Sequence, residues 1–443
     1  MAPLNPNSRH TATAFVRTGL ILLLAGMFFG SIGAVQYVVP GFLKTWLSFE
    51  RTRPMHVSLV LFWILMASSG AVLTYVQQKH NQLYSQRLAQ WHYLLMVIPI
   101  PLILISYLSG KFGGREYWEF PPLLALPFWI AWGLFAYNYV RTVKSFRDQP
   151  VYIWMWATGA FGFLYMFTES YLWLIPYIRQ DIIRDMTIQW KSNGAMVGGW
   201  NMLVYGCAMF VMERISGNAH YAKSRLAFAL YFLGLTNMLF NWSHHIYPLP
   251  VANIIRHIGY GVSMTELLIL GRIIWQWRKT LTPEQRFLHL MAYRFLYAAD
   301  LWVFLNLLLA ITMSVPAINL YTHGTHITVA HAMGTTIGIN TMILLAVVFD
   351  LHGEPAAPKK NWITIGFYTA NVSLLVFWLA LIGAGIRKGQ WLASEPRETF
   401  ATMMQSLIPY FITFTLAGIV LFGGLLLVIW PVLRKTAWHT KTS

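Results

Sequence analysis

Charge and cysteine are what this sequence has least of. Only 11% of its 443 residues are Asp, Glu, Lys or Arg, and the acidic side chains number 15 against 32 Lys and Arg. With 57% hydrophobic and 16% aromatic residues and a mean hydropathy of +0.51, so little charge excludes a water-soluble globule. The single cysteine, Cys207, excludes an internal disulfide, a cysteine-held iron–sulfur cluster and a covalently attached c-type haem, which needs a C-x-x-C-H run. A long Lys/Arg run and any nucleic-acid motif are also missing. The net charge of +17 therefore points to anionic lipid headgroups and not to nucleic acid. No small-residue cleavage site follows the first apolar stretch, which reads as a retained span and not a signal peptide.

What the chain has is apolar runs long enough to cross a hydrocarbon core of about 30 Å as helices. They fall near 14–40, 54–78, 90–110, 120–141, 151–177, 190–213, 223–247, 249–277, 293–317, 322–350, 362–386 and 404–432. The expectation is an all-α, polytopic membrane helical bundle of about twelve spans, forming one domain over 1–443 with cytoplasmic tails at 1–13 and 434–443. Its spans are rich in the small residues that close helix packing in lipid requires. With the N-terminus in the cytoplasm, Lys79, Arg87, Arg141, Lys144, Arg147, Lys223, Arg225, Arg278, Lys279, Lys359, Lys360, Arg434 and Lys435 share that side. Lys44, Arg51, Arg53, Arg387 and Lys388 oppose this placement, but both termini are expected inside.

Ionisable groups are expensive in lipid, so their depth is informative. His56 lies in the first turns of the second span, His244 and His245 end the seventh, His331 and Met333 lie two to three turns into the tenth, and Asn193 opens the sixth. His56, His244 and His245 fall in the outer third of the bilayer, and the whole set shares one layer. One such histidine alone is more often an interfacial hydrogen-bonding residue; several at one depth suggest metal ligation. Residues two apart on a helix are separated by about 200°, so His331 and Met333 face opposite ways and one helix can serve two centres. His331 can hold one haem, Met333 with His56 a second, and the vicinal pair His244–His245 a non-haem metal.

Several stretches carry a family resemblance over essentially the whole chain. They are Arg53-Pro-Met-His56, Gly114-Arg115-Glu116-Tyr117-Trp118-Glu119-Phe120-Pro121, Ser243-His244-His245-Ile246-Tyr247, Glu266, and the segment from Tyr321 to His331. Together they resemble the haem–copper oxidase superfamily, and within it the catalytic subunit of cytochrome c-dependent nitric oxide reductases. The resemblance implies two b-type haems, one low-spin and one high-spin, with a non-haem metal, iron, beside the latter. It makes His56 a low-spin ligand, His331 the high-spin ligand, and His244 and His245 ligands of the non-haem metal. It places Glu116 at a Ca2+ site bridging haem propionates, Arg53 and Arg115 as propionate partners, and Glu266 as a buried carboxylate near the metal. Tyr247 becomes a candidate hydrogen-bond donor to bound ligand. Implied partners are lipid, nitric oxide, a membrane-anchored cytochrome c subunit and a second copy of the chain in a homodimer.

The departures from that pattern bear on the reaction. Asn193 stands where the family has its first non-haem histidine, Val197 and Asn201 where it has glutamates, and Met333 where it has the second low-spin histidine. A thioether ligand raises the potential of a haem, and lost carboxylates remove proton carriers that reduction of NO to N2O and water requires. This resembles proteins proposed to act as nitric oxide dismutases, which would turn two NO into N2 and O2 without net electrons or protons. Those proteins resemble longer quinol-type reductases, so reduction and dismutation both stay open. So do a haem-containing NO or O2 sensor, an inactive paralogue and a terminal oxidase reducing O2. A secondary transporter would show inverted repeats, and none is evident. His323 and His326 are expected to be interfacial or propionate partners; His257, Asp300 and Glu169 are expected to pair with other helices.

Overall fold

The computed structural model describes residues 6–353 and 361–434, with the side chains of 6–12 and 266–270 also left outside the description. Lys359, Lys360 and Lys435, counted above among the cytoplasmic charges, and the side chain of Glu266 lie outside the described residues. Among the described residues the chain is helical with no strand, and eleven helices are long and apolar enough to cross a membrane. The first is α1 (Pro6–Val38), which begins inside the stretch expected as a tail. It is followed by α2 (Phe49–His80), α3 (Gln86–Val97) and α4 (Pro99–Leu108), the last two forming one span interrupted at Pro99.

Next come α5 (Leu126–Val143), α6 (Val151–Glu169), α7 (Ile182–Ser216) and α8 (Arg225–Phe240). A 3-10 segment, Asn241–Ile246, ends the seventh span. The expected eighth span is divided into α9 (Asn253–Ser263) and α10 (Glu266–Thr280), parted at Met264 and Thr265. Then follow α11 (Leu290–Ser314), α12 (His326–Met333), a π-helical stretch at Gly334–Thr341, α13 (Met342–His352), α14 (Trp362–Ala393) and α15 (Phe400–Arg434).

Packing places α2 innermost: 94% of its apolar window is buried, against 28% for the span containing α8. α1 lies along α2 and is backed in turn by α15, while α5, α7 and α13 close the other side of α2. α7 runs beside the 3-10 segment, and α12 packs on α14. The π stretch is wider than an α-helix and re-aims the side chains that follow His331 and Met333, a device found at functional sites. Its polar residues are tied across the bundle: Trp63 Nε1 donates to Thr341 Oγ1 at 3.1 Å and Asn306 Nδ2 to Thr335 Oγ1 at 2.8 Å.

The loop before α5 is a closed turn. Gly113 and Gly114 both donate to the Glu119 carbonyl, and Trp118 N donates to the Arg115 carbonyl at 2.9 Å. A Cβ on Gly114 would run into the Trp118 carbonyl, and Tyr117 takes a left-handed φ of 74°. This fold of the Gly-Arg-Glu-Tyr-Trp-Glu sequence places one carboxylate, Glu119, and one guanidinium, Arg115, where each finds an ion-pair partner from another element. Arg53 pairs with Glu119, and Arg115 with Asp185 at 2.6 Å.

Candidate haem and metal centre

His56 is set by α1. Its Nδ1 lies 2.8 Å from the Gly26 carbonyl, and a Cβ on Gly30 would come within 2.6 Å of the same nitrogen. With a carbonyl as acceptor, Nδ1 carries the proton and Nε2 keeps its lone pair for a ligand bond. His56 and Val57 are only half-buried in an otherwise buried stretch, so they border a gap between helices and not a filled core.

His331 lies within α12 with both following residues, Ala332 and Met333, also half-buried. Its Nδ1 is buried beside Asn306 yet has no hydrogen bond of normal geometry. Met333 packs against the apolar core at the junction with the π stretch.

The rings of His244 and His245 have centroids 4.2 Å apart. His323 and His331 are electrostatic neighbours of both. The structure thus brings together the seventh-span pair and the tenth-span histidine. His323, expected only at the span entrance, joins them, its ring 5.1 Å from that of Trp190.

On α7 the half-exposed positions Trp190, Gly194, Val197, Asn201 and Tyr205 recur at helical spacing on one face, which meets the histidines at Trp190, beside His323, and at Gly194, beside His245. Gly194 is needed there, because a Cβ would approach His245 Cδ2 to 2.9 Å. Asn201 Oδ1 is buried without a partner on this face. Asn193 points elsewhere: its amide donates weakly to the Glu116 carbonyl at 3.5 Å. The structure therefore aligns Gly194 with the histidine pair and places Asn193 against the Glu116 loop.

Among the described residues no set of three His, Cys, Asp or Glu converges as a metal cage. A metal here would have two imidazoles as its strong ligands, and the same face of α7 carries the unpartnered Asn201 Oδ1 further along the helix. Tyr247 does not reach this group, since its hydroxyl is committed to the Arg256 and Ser314 carbonyls at 3.1 and 3.3 Å. That leaves it no proton for a bound ligand.

Arg115, Glu116, Trp118, Tyr171, Trp173 and Asn193 line a narrow crevice beside the loop. Arg115 Nε, Trp118 Nε1, Tyr171 Oη and Trp173 Nε1 are buried there without partners. Buried donors demand acceptors, and three fixed N–H groups suit anionic oxygens such as haem propionates. The Glu116 side chain is exposed, and burial pushes the nearby Glu119 carboxyl above its usual value while Arg53 pulls it back. By donor chemistry, His56, Met333 and His331 are of the types that bind haem iron, and His244 and His245 of the type that would hold a second metal weakly.

Comparison with known proteins agrees with this chemistry. The profile of the family described as Cytochrome C and Quinol oxidase polypeptide I matches residues 10–420. A nitric oxide reductase polypeptide of Stutzerimonas stutzeri is 23% identical, with 96% of this chain and 95% of that protein covered. The Cbb3-type cytochrome c oxidase subunit CcoN1 of the same organism is 21% identical over 94% of this chain and 91% of its own. A solved heme-copper terminal oxidase dimer superposes with a TM-score of 0.74 at 15% identity, covering 99% of this chain and 86% of that one. The chain belongs to the cytochrome c and quinol oxidase polypeptide I family of membrane oxidoreductases.

Proposed function

We propose that this protein converts nitric oxide at a centre formed by a high-spin haem b on His331 and a non-haem iron on His244 and His245. A low-spin haem b would lie between His56 and Met333. Bound there, the haems and metal supply redox chemistry at adjacent irons. The chain's own groups hold, orient and exclude water. Gly26 fixes the His56 tautomer, and Gly194 lets the His245 ring approach α7 closely. Val197 gives the pocket an apolar wall where a carboxylate would admit water and protons. Arg53 and Arg115 are proposed propionate partners, Glu116 a Ca2+ ligand, and Glu266 a carboxylate near the metal.

The observation that carries this reading is that Gly194 of α7 abuts the vicinal imidazoles while the positions that follow it on the same helical face, Val197 and Asn201, carry no acid. Reduction consumes two electrons and two protons for each pair of NO to give N2O and water. Dismutation of the pair to N2 and O2 consumes neither, so the missing carboxylates favour it. The similarity to a nitric oxide reductase polypeptide supports NO as substrate; the similarity to an oxidase polypeptide keeps O2 reduction as the competing reading. Docked partners would be a membrane-anchored cytochrome c subunit for reduction and a second copy of the chain. In this reading both termini lie on the cytoplasmic side of a bacterial inner membrane.

The test is anaerobic addition of labelled NO to purified protein without reductant, with gases followed by mass spectrometry. Labelled N2 with O2 is the expected result. N2O appearing only with added electrons selects reduction, and neither gas selects a sensor. The low-spin haem is checked separately, by optical and EPR spectra: a His/Met signature is expected, and Met333→His should convert it to bis-histidine with a lower potential. A bis-histidine spectrum from the unaltered protein removes Met333 from the site. Gly30→Val should displace the His56 ring and reduce bound haem by about half, since the added carbons need space the ring occupies.

A further inference from the structure

We propose that Asn241 is a positioning residue for the non-haem metal, fixing the His244 imidazole with its proton on Nδ1 and its lone pair on Nε2. This rests on the reading of His244 as a metal ligand. The backbone makes the contact: in a 3-10 turn, side chains three residues apart eclipse each other, and Asn241 and His244 are so placed in the segment Asn241–Ile246. Asn241 Oδ1 lies 3.0 Å from His244 Nδ1. A neutral imidazole has one N–H and one lone pair, so an oxygen acceptor at Nδ1 leaves Nε2 as the ligand atom.

The amide is itself held in place. Ser263, the last residue of α9, donates its hydroxyl to Asn241 Oδ1. One turn earlier Gly259 is seated on the metal-binding turn: a Cβ there would collide with the Ser243 hydroxyl and come within 3.2 Å of His244 N. The break that divides the eighth span therefore has a use. It ends α9 where Ser263 reaches the relay Ser263, Asn241, His244.

The alternative orientation of the amide gives the opposite chemistry. Turned over, Asn241 Nδ2 would donate to His244 Nδ1 and to Ser263 Oγ, whose own proton could then go to the Gly259 carbonyl at 2.8 Å. The ring proton would move to Nε2 and that nitrogen could not bind a metal. Asn241 also differs from the carboxylates that often back a ligating histidine. Being uncharged, it leaves the imidazole a weaker donor, in keeping with a pocket poor in acids.

Three measurements on the purified full-length protein test this. In metal-free protein with 15N-labelled histidine, the signals lost in His244→Gln should belong to an Nδ1–H tautomer. Asn241→Asp should retain the non-haem metal and shift its midpoint potential downward, read by an EPR-monitored titration. Asn241→Leu should weaken metal binding about 10- to 100-fold, with haem content unchanged. An Nε2–H tautomer, or an unmoved potential in metal-loaded Asn241→Asp, overturns the positioning role. If His244→Gln binds as much non-haem metal as the unaltered protein, the reading of His244 as a ligand fails instead.

Discussion

Changing His331 to alanine should leave a membrane-inserted protein that has lost its high-spin haem and at least about 100-fold of its NO turnover, the upper range for altering mere supporting groups at a metal site. Alanine is the strongest helix former, so α12 should persist and the change should remove little but the imidazole. The loss follows from position. His331 is half-buried, with its Nδ1 beside Asn306 and its ring near both members of the vicinal pair. Free imidazole can enter the space left by the side chain and should restore part of the high-spin spectrum. Haem content and an NO electrode provide the readings, and unchanged values for both would sink the assignment. His244→Ala and His245→Ala should act differently, sparing the haem spectra and removing the non-haem metal.

The bundle was legible because its cause is local: each apolar run must satisfy its own backbone in lipid, and only helices do that within one segment. The histidines were legible because ionisable groups stand out in such runs. What could not be read was rotation about a helix axis. Asn193 and Gly194 differ by about 100°, and nothing in their own sequence says which faces the vicinal pair. That choice is made by long-range contacts, Trp190 on His323 and Gly194 on His245. Tyr247 is similar, since its hydroxyl is claimed by carbonyls of Arg256 and Ser314, the latter 67 residues away. Asn241 left a readable signal, an Asn three residues before a His, but only the 3-10 geometry gives that spacing its meaning. The break at Met264 and Thr265 follows a glycine- and serine-containing stretch, weak helix formers whose effect depends on the tertiary setting.

At the end of the bundle opposite the histidines, the largest stability effect is expected at Asp350. Its carboxylate side chain is 2% exposed, and one oxygen accepts from Arg214 at 2.8 Å and from the Tyr75 hydroxyl at 2.8 Å. The three residues come from α13, α7 and α2, so one oxygen ties together the inner helices that carry the site. Tyr75 is fixed further by its ring, stacked on Phe210 with centroids 4.1 Å apart. Asp350→Ala leaves a guanidinium only 28% exposed without its counter-charge and a buried phenol without its acceptor. Breaking such a pair from one side costs about 3 to 5 kcal/mol. Removing both charges is a different matter, because apolar replacements incur no desolvation penalty. Asp350→Leu combined with Arg214→Met should therefore recover much of the loss, giving a non-additive cycle in denaturant titrations of the detergent-solubilised protein. NO turnover per folded molecule should stay near that of the unaltered protein in every member of the cycle. Additive stability losses would mean that Asp350 and Arg214 act independently, and that the interhelical tie lies in Tyr75 alone.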